Sequence, residues 1–467
     1  MRTERDSLGT LEVPDEAYYG IQTLRAVENF PVSGLRASPA LVSAYGHLKA
    51  ACALTNLELG ALDERRGRAI VQAADELAAG RFGAQMVVDV FQAGAGTSFH
   101  MNVNEVVANR ALEILGKPKG DYEEVSPNDH VNRGQSTNDT YPTAAQLATW
   151  FALRDLRGAV QTLIASLGRK AKEFEGRAKA GRTHLKDALP VTLGAEFHAY
   201  ATALERVLES LPSVEVALAE VPLGGSAVGS GVNTSPGFRE RAVRHLAERT
   251  HVPLRVARDP FEAMQSRWPL AAASGWLRTL AGELGRIAND LRLLSSGPAT
   301  GFDELRLPEI QPGSSIMPAK VNPSAAECLN MICFHVLGAD LATSLAVGAG
   351  QLEINVMMPL ATFEVLSSAE YLTRFLPRFA SRCIDGIAAH EENLERYLAS
   401  STALATVLTP RLGYLRVAEV LHESERTRVP VQELLVREKL LTREEVDALL
   451  GPEALRKLAR PVGPPPS

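Results

Sequence analysis

The stretch Gly313-Ser314-Ser315-Ile316-Met317-Pro318-Ala319-Lys320-Val321-Asn322-Pro323 sets two adjacent serines, a lysine and an asparagine within ten residues, just ahead of a long apolar run. Lysine beside glycine and serine suggests anion binding. Asn322-Pro323 has the form of a helix start, with the asparagine as cap and the proline at the first helical position. The stretch therefore reads as a functional loop feeding a helix, and the nature of that helix decides the architecture.

From Cys328 to Gly350 the chain carries one charged residue, Asp340, and apolar residues on all sides of the helix. A helix apolar all round is buried all round. A membrane span is one reading, but Asn330, His335 and Asp340 are costly in lipid. Burial inside an oligomer, against copies of itself or its neighbours, is the better one. Four further runs have helical spacing. Leu147, Phe151, Leu156, Val160, Leu163 and Leu167 recur at steps of three to five over 142–174, behind Asn138, Asp139 and Thr140 as start signals. Similar runs cover 193–211, 270–294 and 352–398, the last with kinks expected at Pro359 and Pro377. The fold class is therefore all-α in the main, with a central bundle of five long helices over 138–392. A mixed, mostly helical domain over 1–137 precedes it, with helices expected at 41–62, 69–79 and 104–115. A small helical domain over 393–467 follows, its final Pro-Val-Gly-Pro-Pro-Pro-Ser read as a frayed tail.

The 467-residue length exceeds what one core serves. With 45% apolar and 22% charged residues the chain reads as soluble and globular. A net charge of −6 leaves no basic footprint, so neither nucleic acid nor a membrane is an expected partner. The start Met1-Arg-Thr-Glu-Arg-Asp has no apolar signal core, and the four cysteines are scattered, so the expected location is the cytoplasm. No HExxH motif and no zinc-finger cysteine spacing occur, so no metal site is expected, and Cys328 and Cys333 read as buried structural residues.

Four more polar clusters lie between or at the ends of the helices. They are Gly96-Thr97-Ser98, Ser136-Thr137-Asn138-Asp139, Gly181-Arg182-Thr183-His184 and the glycine-rich run 224–231. The last matches neither GxxxxGK[ST] nor GxGxxG, which discounts nucleotide binding. Each cluster alone has a plain structural explanation, as a cap, a turn or a loop. Together they supply hydroxyls, amides, an imidazole and a lysine, an inventory suited to a small dianion. A site that removes a proton next to a carboxylate must stabilise an enolate-like dianion with preorganised donors. In such a positive setting a serine alkoxide becomes less costly, and a serine can act as base.

The opening stretch resembles the signature G-S-S-x-M-P-x-K-x-N-P of the aspartase/fumarase superfamily. "AGTSFHMNVNEVVANRAL", "GQSTNDTYPTA" and "GRTHLKDALP" resemble the other segments of that family, in the same order, and the likeness runs from "VPDEAYYGIQTLRAVENF" to "LTPRLGY". The resemblance implies a three-domain homotetramer with a central helix bundle and active sites shared between three chains. It implies Ser314 as catalytic base, with His184 and its carboxylate partner Glu327 as further catalytic residues. It places Lys320, Asn322 and Thr183 on the α-carboxylate of the substrate, Ser136, Thr137 and Ser315 on the β-carboxylate, and Thr97, Asn138 and His184 near the departing amine. The implied chemistry needs no cofactor.

Within the superfamily three features resemble the aspartases: Ala95-Gly96-Thr97-Ser98, Ser136-Thr137-Asn138, and the segment Gly350-Gln351-Leu352-Glu353-Ile354-Asn355-Val356-Met357. They imply reversible loss of ammonia from L-aspartate to give fumarate. The alternatives are a class II fumarase, interconverting fumarate and L-malate, and a lyase-fold protein that has lost activity. His100, Ala319 and Met358 depart from the family pattern. His100 is either an imidazole beside Thr97 that alters substrate fit or pH response, or a substitution behind or outside the site.

Overall fold

The computed structural model describes residues 1–459; the expected frayed tail lies outside the described residues. The protein is predominantly helical. A hairpin of β1 (Arg2–Asp6) and β2 (Gly9–Val13) leads into α1 (Ile21–Asn29), α2 (Pro39–Glu58), α3 (Glu64–Ala78) and α4 (Thr97–Ile114). The long α5 (Thr137–Glu173) is followed by a second hairpin, β3 (Ala178–Thr183) and β4 (Lys186–Thr192). Then come α6 (Leu193–Glu209), α7 (Leu211–Leu218), α8 (Phe238–Thr250), α9 (Pro260–Gln265) and α10 (Trp268–Leu294). After the loop that bears Ser314 the chain forms α11 (Ser324–Gly348), α12 (Met358–Arg382) and α13 (Glu391–Ser400), and short helices complete it.

The chain divides into two compact units. One comprises Met1–Gly158, Val207–Ala281 and Ile332–Thr373; the other comprises Ala159–Arg206, Gly282–Met331 and the chain from Arg374 onward. In the first, α2 packs against α3 and α8 around Tyr45, Leu48, Ile70 and Leu77, all fully buried. Asp340 of α11 accepts from Ser274 at 2.7 Å and pairs with Arg278 at 2.9 Å, so the single acid in the apolar run is engaged by α10. In the second unit, Asn330 of α11 donates to the Gly285 carbonyl at 3.2 Å and accepts from Arg292 at 3.0 Å, again on α10.

Four expectations change in detail. The run 352–398 is two helices, α12 and α13, separated by a turn at Ile384–Gly386. Pro359 is the second residue of α12, where a missing N–H costs nothing, and only Pro377 lies inside the helix. The segment around Thr183 and His184 is a β-hairpin. The burial of α11 is one-sided in this chain: Leu329, Cys333, Val336 and Ala339 are buried, whereas Met331, Phe334, Leu337, Leu341 and Leu345 are exposed by 41–68%. α11 is long and apolar enough to cross a membrane, but its inward polar residues are bonded to α10 as described.

Strand β3 is anchored by charge. Lys179, fully buried, pairs with Glu304 at 2.8 Å and with Glu196 at 3.0 Å, and Arg182 pairs with Glu304 at 2.8 Å. Glu304 has no exposed surface, so among the described residues its charge is supported by these partners in place of water. Glu304→Gln keeps the shape and removes the charge. It should lower stability by about 3 kcal/mol, the low end of the range for a broken buried pair because Lys179 keeps Glu196. A urea midpoint within error of the parent would show that the cluster contributes nothing.

Candidate active site

The first unit assembles two helix starts. Gly96 has φ +84°, and a Cβ there would lie 2.2 Å from the Tyr141 ring, so only glycine allows α4 to begin so close to α5. The Ala95 N–H donates to the Val356 carbonyl at 2.8 Å, which ties this turn to the segment between α11 and α12. Thr97 opens α4 and is exposed. His100, one turn on, is buried and sets Nδ1 2.7 Å from Thr137 Oγ1, at the first residue of α5. The N-termini of α4 and α5, each with its positive end of the helix dipole, thus stand side by side with Thr97, Ser136 and Thr137 at their openings.

Asp139 holds this arrangement. Its buried carboxylate accepts the N–H groups of Ser136, Gly224 and Ser226 at 2.9–3.0 Å. Burial pushes its pKa up to about 6, against these hydrogen bonds, which lower it. The glycine-rich run 224–231 is therefore a structural loop wrapped around Asp139. Asn138 donates from Nδ2 to the Ala227 carbonyl of that loop at 2.8 Å, which leaves its Oδ1 as an acceptor for an amine or hydroxyl.

The second unit holds the loop and the hairpin tip. Asn322 donates from Nδ2 to the Gly313 carbonyl, closing the loop end to end. A Cβ on Gly313 would lie 2.1 Å from the Lys320 carbonyl oxygen, so the closure requires glycine. Inside, Ser314 Oγ accepts the N–H groups of Met317 at 2.8 Å and Ile316 at 3.2 Å. Two donors aimed at a hydroxyl oxygen lower the cost of its anion. Ala319 has φ +63°, which explains why glycine suits that position; alanine there costs about 1 kcal/mol. Ser315 and Lys320 are exposed, and Lys320, Asn322 and Glu327 line a cleft of about 590 Å³ with Arg292, Ser296 and Asp303.

Thr183 ends β3, and His184 and Leu185 form a two-residue hairpin turn with φ of 55° and 57°. Both residues are left-handed without being glycine or asparagine, a strained turn of the kind that concentrates at functional sites. His184 is exposed. Among the described residues no hydrogen bond or ion pair joins His184 to Glu327 within this chain. Sequence reading passed over Lys49, a fully buried lysine that reaches His100 at 2.8 Å. The available signal was its isolation as the only Lys, Arg, Asp or Glu between 39 and 57.

Long helices with hydroxyl-bearing starts, and a clasped serine–lysine loop, define a helical lyase. A family model described as lyase matches residues 9–338, and one described as fumarase C C-terminus matches 404–457. The chain is 46% identical to an aspartate ammonia-lyase of Pseudomonas aeruginosa, covering 97% of this chain and 96% of that one. It is 42% identical to an aspartate ammonia-lyase of a Bacillus species, covering 97% of each. It is also 43% identical to a class II fumarate hydratase of Thermus aquaticus, covering 98% of each. A fumarate lyase:delta crystallin structure from Brucella melitensis superposes with a TM-score of 0.94 at 44% identity, covering 98% of this chain and 100% of that one. The chain belongs to the aspartase/fumarase superfamily of lyases.

Gly313→Ala should cut turnover by about a hundredfold or more, because the Cβ forces the clasp open and displaces Ser314. The melting temperature should change little, since residues 314–321 bury little surface. Steady-state kinetics beside a thermal melt checks this; unchanged turnover would show that the clasp does not position the loop.

Proposed function

We propose that the protein is an aspartate ammonia-lyase. The observation that carries the reading is a single junction in the first unit. The Ala95–Ser98 turn, the Ser136–Asn138 turn and the segment ending at Met357 are the three aspartase-like features, and bonds from Ala95 to Val356 and from His100 to Thr137 join them. The relatives alone do not decide the substrate, since aspartases and a class II fumarase match at similar identity.

In the proposed reaction Ser314, as an alkoxide supported by two backbone N–H groups, removes a proton from Cβ of L-aspartate. The C–H pair moves into the β-carboxylate and forms an enolate-like dianion. Ser136, Thr137 and Ser315 hold that carboxylate, helped by the positive ends of α4 and α5. Lys320, Asn322 and Thr183 hold the α-carboxylate. The pair then returns to form the Cα–Cβ double bond while the C–N bond breaks. Ammonia leaves from beside Thr97, Asn138 and His184, with Glu327 of a neighbouring copy of the chain as the carboxylate partner of His184. Fumarate is the other product, and no electron acceptor is required.

We further propose that the chain works as a homotetramer with active sites drawn from three chains. The exposed apolar stripe of α11 supports this, because a row of large side chains is covered in an assembly and wasteful in isolation.

Purified protein given L-aspartate should produce fumarate, followed by its ultraviolet absorbance, and Ser314→Ala should reduce the rate by about 10²–10⁴-fold. Inertness towards aspartate with ready interconversion of fumarate and malate would replace this reading by fumarase. The pair Leu341→Glu and Leu345→Glu should dissociate the assembly in light scattering and abolish turnover. A monomeric but fully active parent would overturn the shared site.

A further inference from the structure

Two buried side chains, Lys49 and His100, lie behind Thr137 and are not used by the proposed reaction. Lys49 Nζ, on α2, is 2.8 Å from His100 Nε2, 2.8 Å from Gln135 Oε1 and 3.1 Å from Asn132 Oδ1. The amide nitrogens of Asn132 and Gln135 donate to backbone carbonyls, of Gln135 and of Val131 and Arg133 respectively. Their oxygens are thereby turned to the lysine. A charged lysine has three protons and meets three acceptors, so His100 Nε2 accepts. The ring proton then sits on Nδ1, which donates to Thr137 Oγ1 at 2.7 Å. Among the described residues no other group takes the Thr137 hydroxyl proton, so it is free to point out of the protein at the mouth of α5.

Removing one proton from Lys49 reverses the chain. The amine keeps two N–H groups for the two amide oxygens and turns its lone pair to Nε2. The ring proton moves to Nε2, and Nδ1 becomes an acceptor for the Thr137 hydroxyl. Thr137 then shows lone pairs to an incoming carboxylate where it previously offered a proton. The proton count falls by one, the proton being released to water.

We propose that Lys49 and His100 are positioning residues that set the direction of the Thr137 hydroxyl and thereby make the affinity for a dicarboxylate depend on pH. The inference rests on Thr137 being a carboxylate contact, as in the function proposed above. Burial supports it: it pulls Lys49 down to about 7 and holds His100 well below the ordinary histidine range, so the ring stays neutral and the lysine titrates. The other titratable groups around the pair come from α2 and α5. On α2 they are Cys52, pushed up to about 12, and Tyr45, which stacks on His100 at 5.7 Å and is raised by burial. On α5 they are Asp139, at about 6, and Tyr141, also raised. Asp139, itself bonded to three N–H groups, favours the charged lysine, and the tyrosines and Cys52 stay neutral through the working range.

The sign follows from the donor requirement. Binding is strongest while Lys49 is charged and weakens as pH rises through about 7. The test is calorimetric binding of succinate, an unreactive four-carbon dicarboxylate, between about pH 6 and pH 9, with KM and kcat for whichever dicarboxylate is turned over. The parent Kd and KM should rise by up to about tenfold per pH unit above the inflection, with kcat nearly flat. His100→Asn, which has no second tautomer, should lose the inflection. Lys49→Arg, charged throughout, should bind without loss up to pH 9 if its melt shows a folded protein. A parent profile without an inflection, or a His100→Asn profile equal to the parent's, overturns the relay. Failure to bind succinate at any pH overturns the carboxylate site itself.

Discussion

Asp139 is the constraint on which the first half of the candidate site depends. A carboxylate with no exposed surface is tolerated only because three backbone N–H groups converge on it, one from its own helix start and two from the glycine-rich loop. That convergence sets where α5 begins and what surrounds its first turn. Ser136, Thr137 and Asn138 cannot move without disturbing it. The charge of Asp139 also favours the charged form of Lys49, against the larger effect of that lysine's own burial.

The two groups of candidate residues are built differently. Thr97, Ser136, Thr137 and Asn138 stand at starts of long helices, where geometry is stiff and the dipole favours anions. Ser314, Lys320 and Asn322 sit in a loop held by one clasp, and His184 at a hairpin tip held by the charge cluster around Glu304. A lyase of the proposed kind, which binds one dicarboxylate and releases another of nearly the same shape, has use for both. The rigid part discriminates, and the clasped part can open at modest cost.

Much of this was legible in the sequence. The apolar steps from Leu147 to Leu167 and from Leu270 to Leu294 announced α5 and α10, because long periodic signals survive local irregularity. Residues 313–323 announced a polar loop leading into a helix. The β3–β4 hairpin was hidden, since its strands contain little of the usual β-branched pattern and its turn, His184-Leu185, contains neither Asn nor Gly. The break after Cys383 was hidden because apolar residues continue through it. Lys49 was hidden by its surroundings: a lone lysine in an apolar helix shows its purpose only when the acceptors from a distant segment, Asn132 and Gln135, are seen around it.

The exposed row Met331, Phe334, Leu337, Leu341 and Leu345 has a consequence for the newly made chain. In the proposed homotetramer, covering this row against a second chain is bimolecular, so the stabilisation it brings grows with the logarithm of concentration. Synthesis rate and dilution therefore act as physical variables on a chain that assembles as proposed. A cell making few copies holds, for longer, chains with a greasy stripe open to chaperones and proteases.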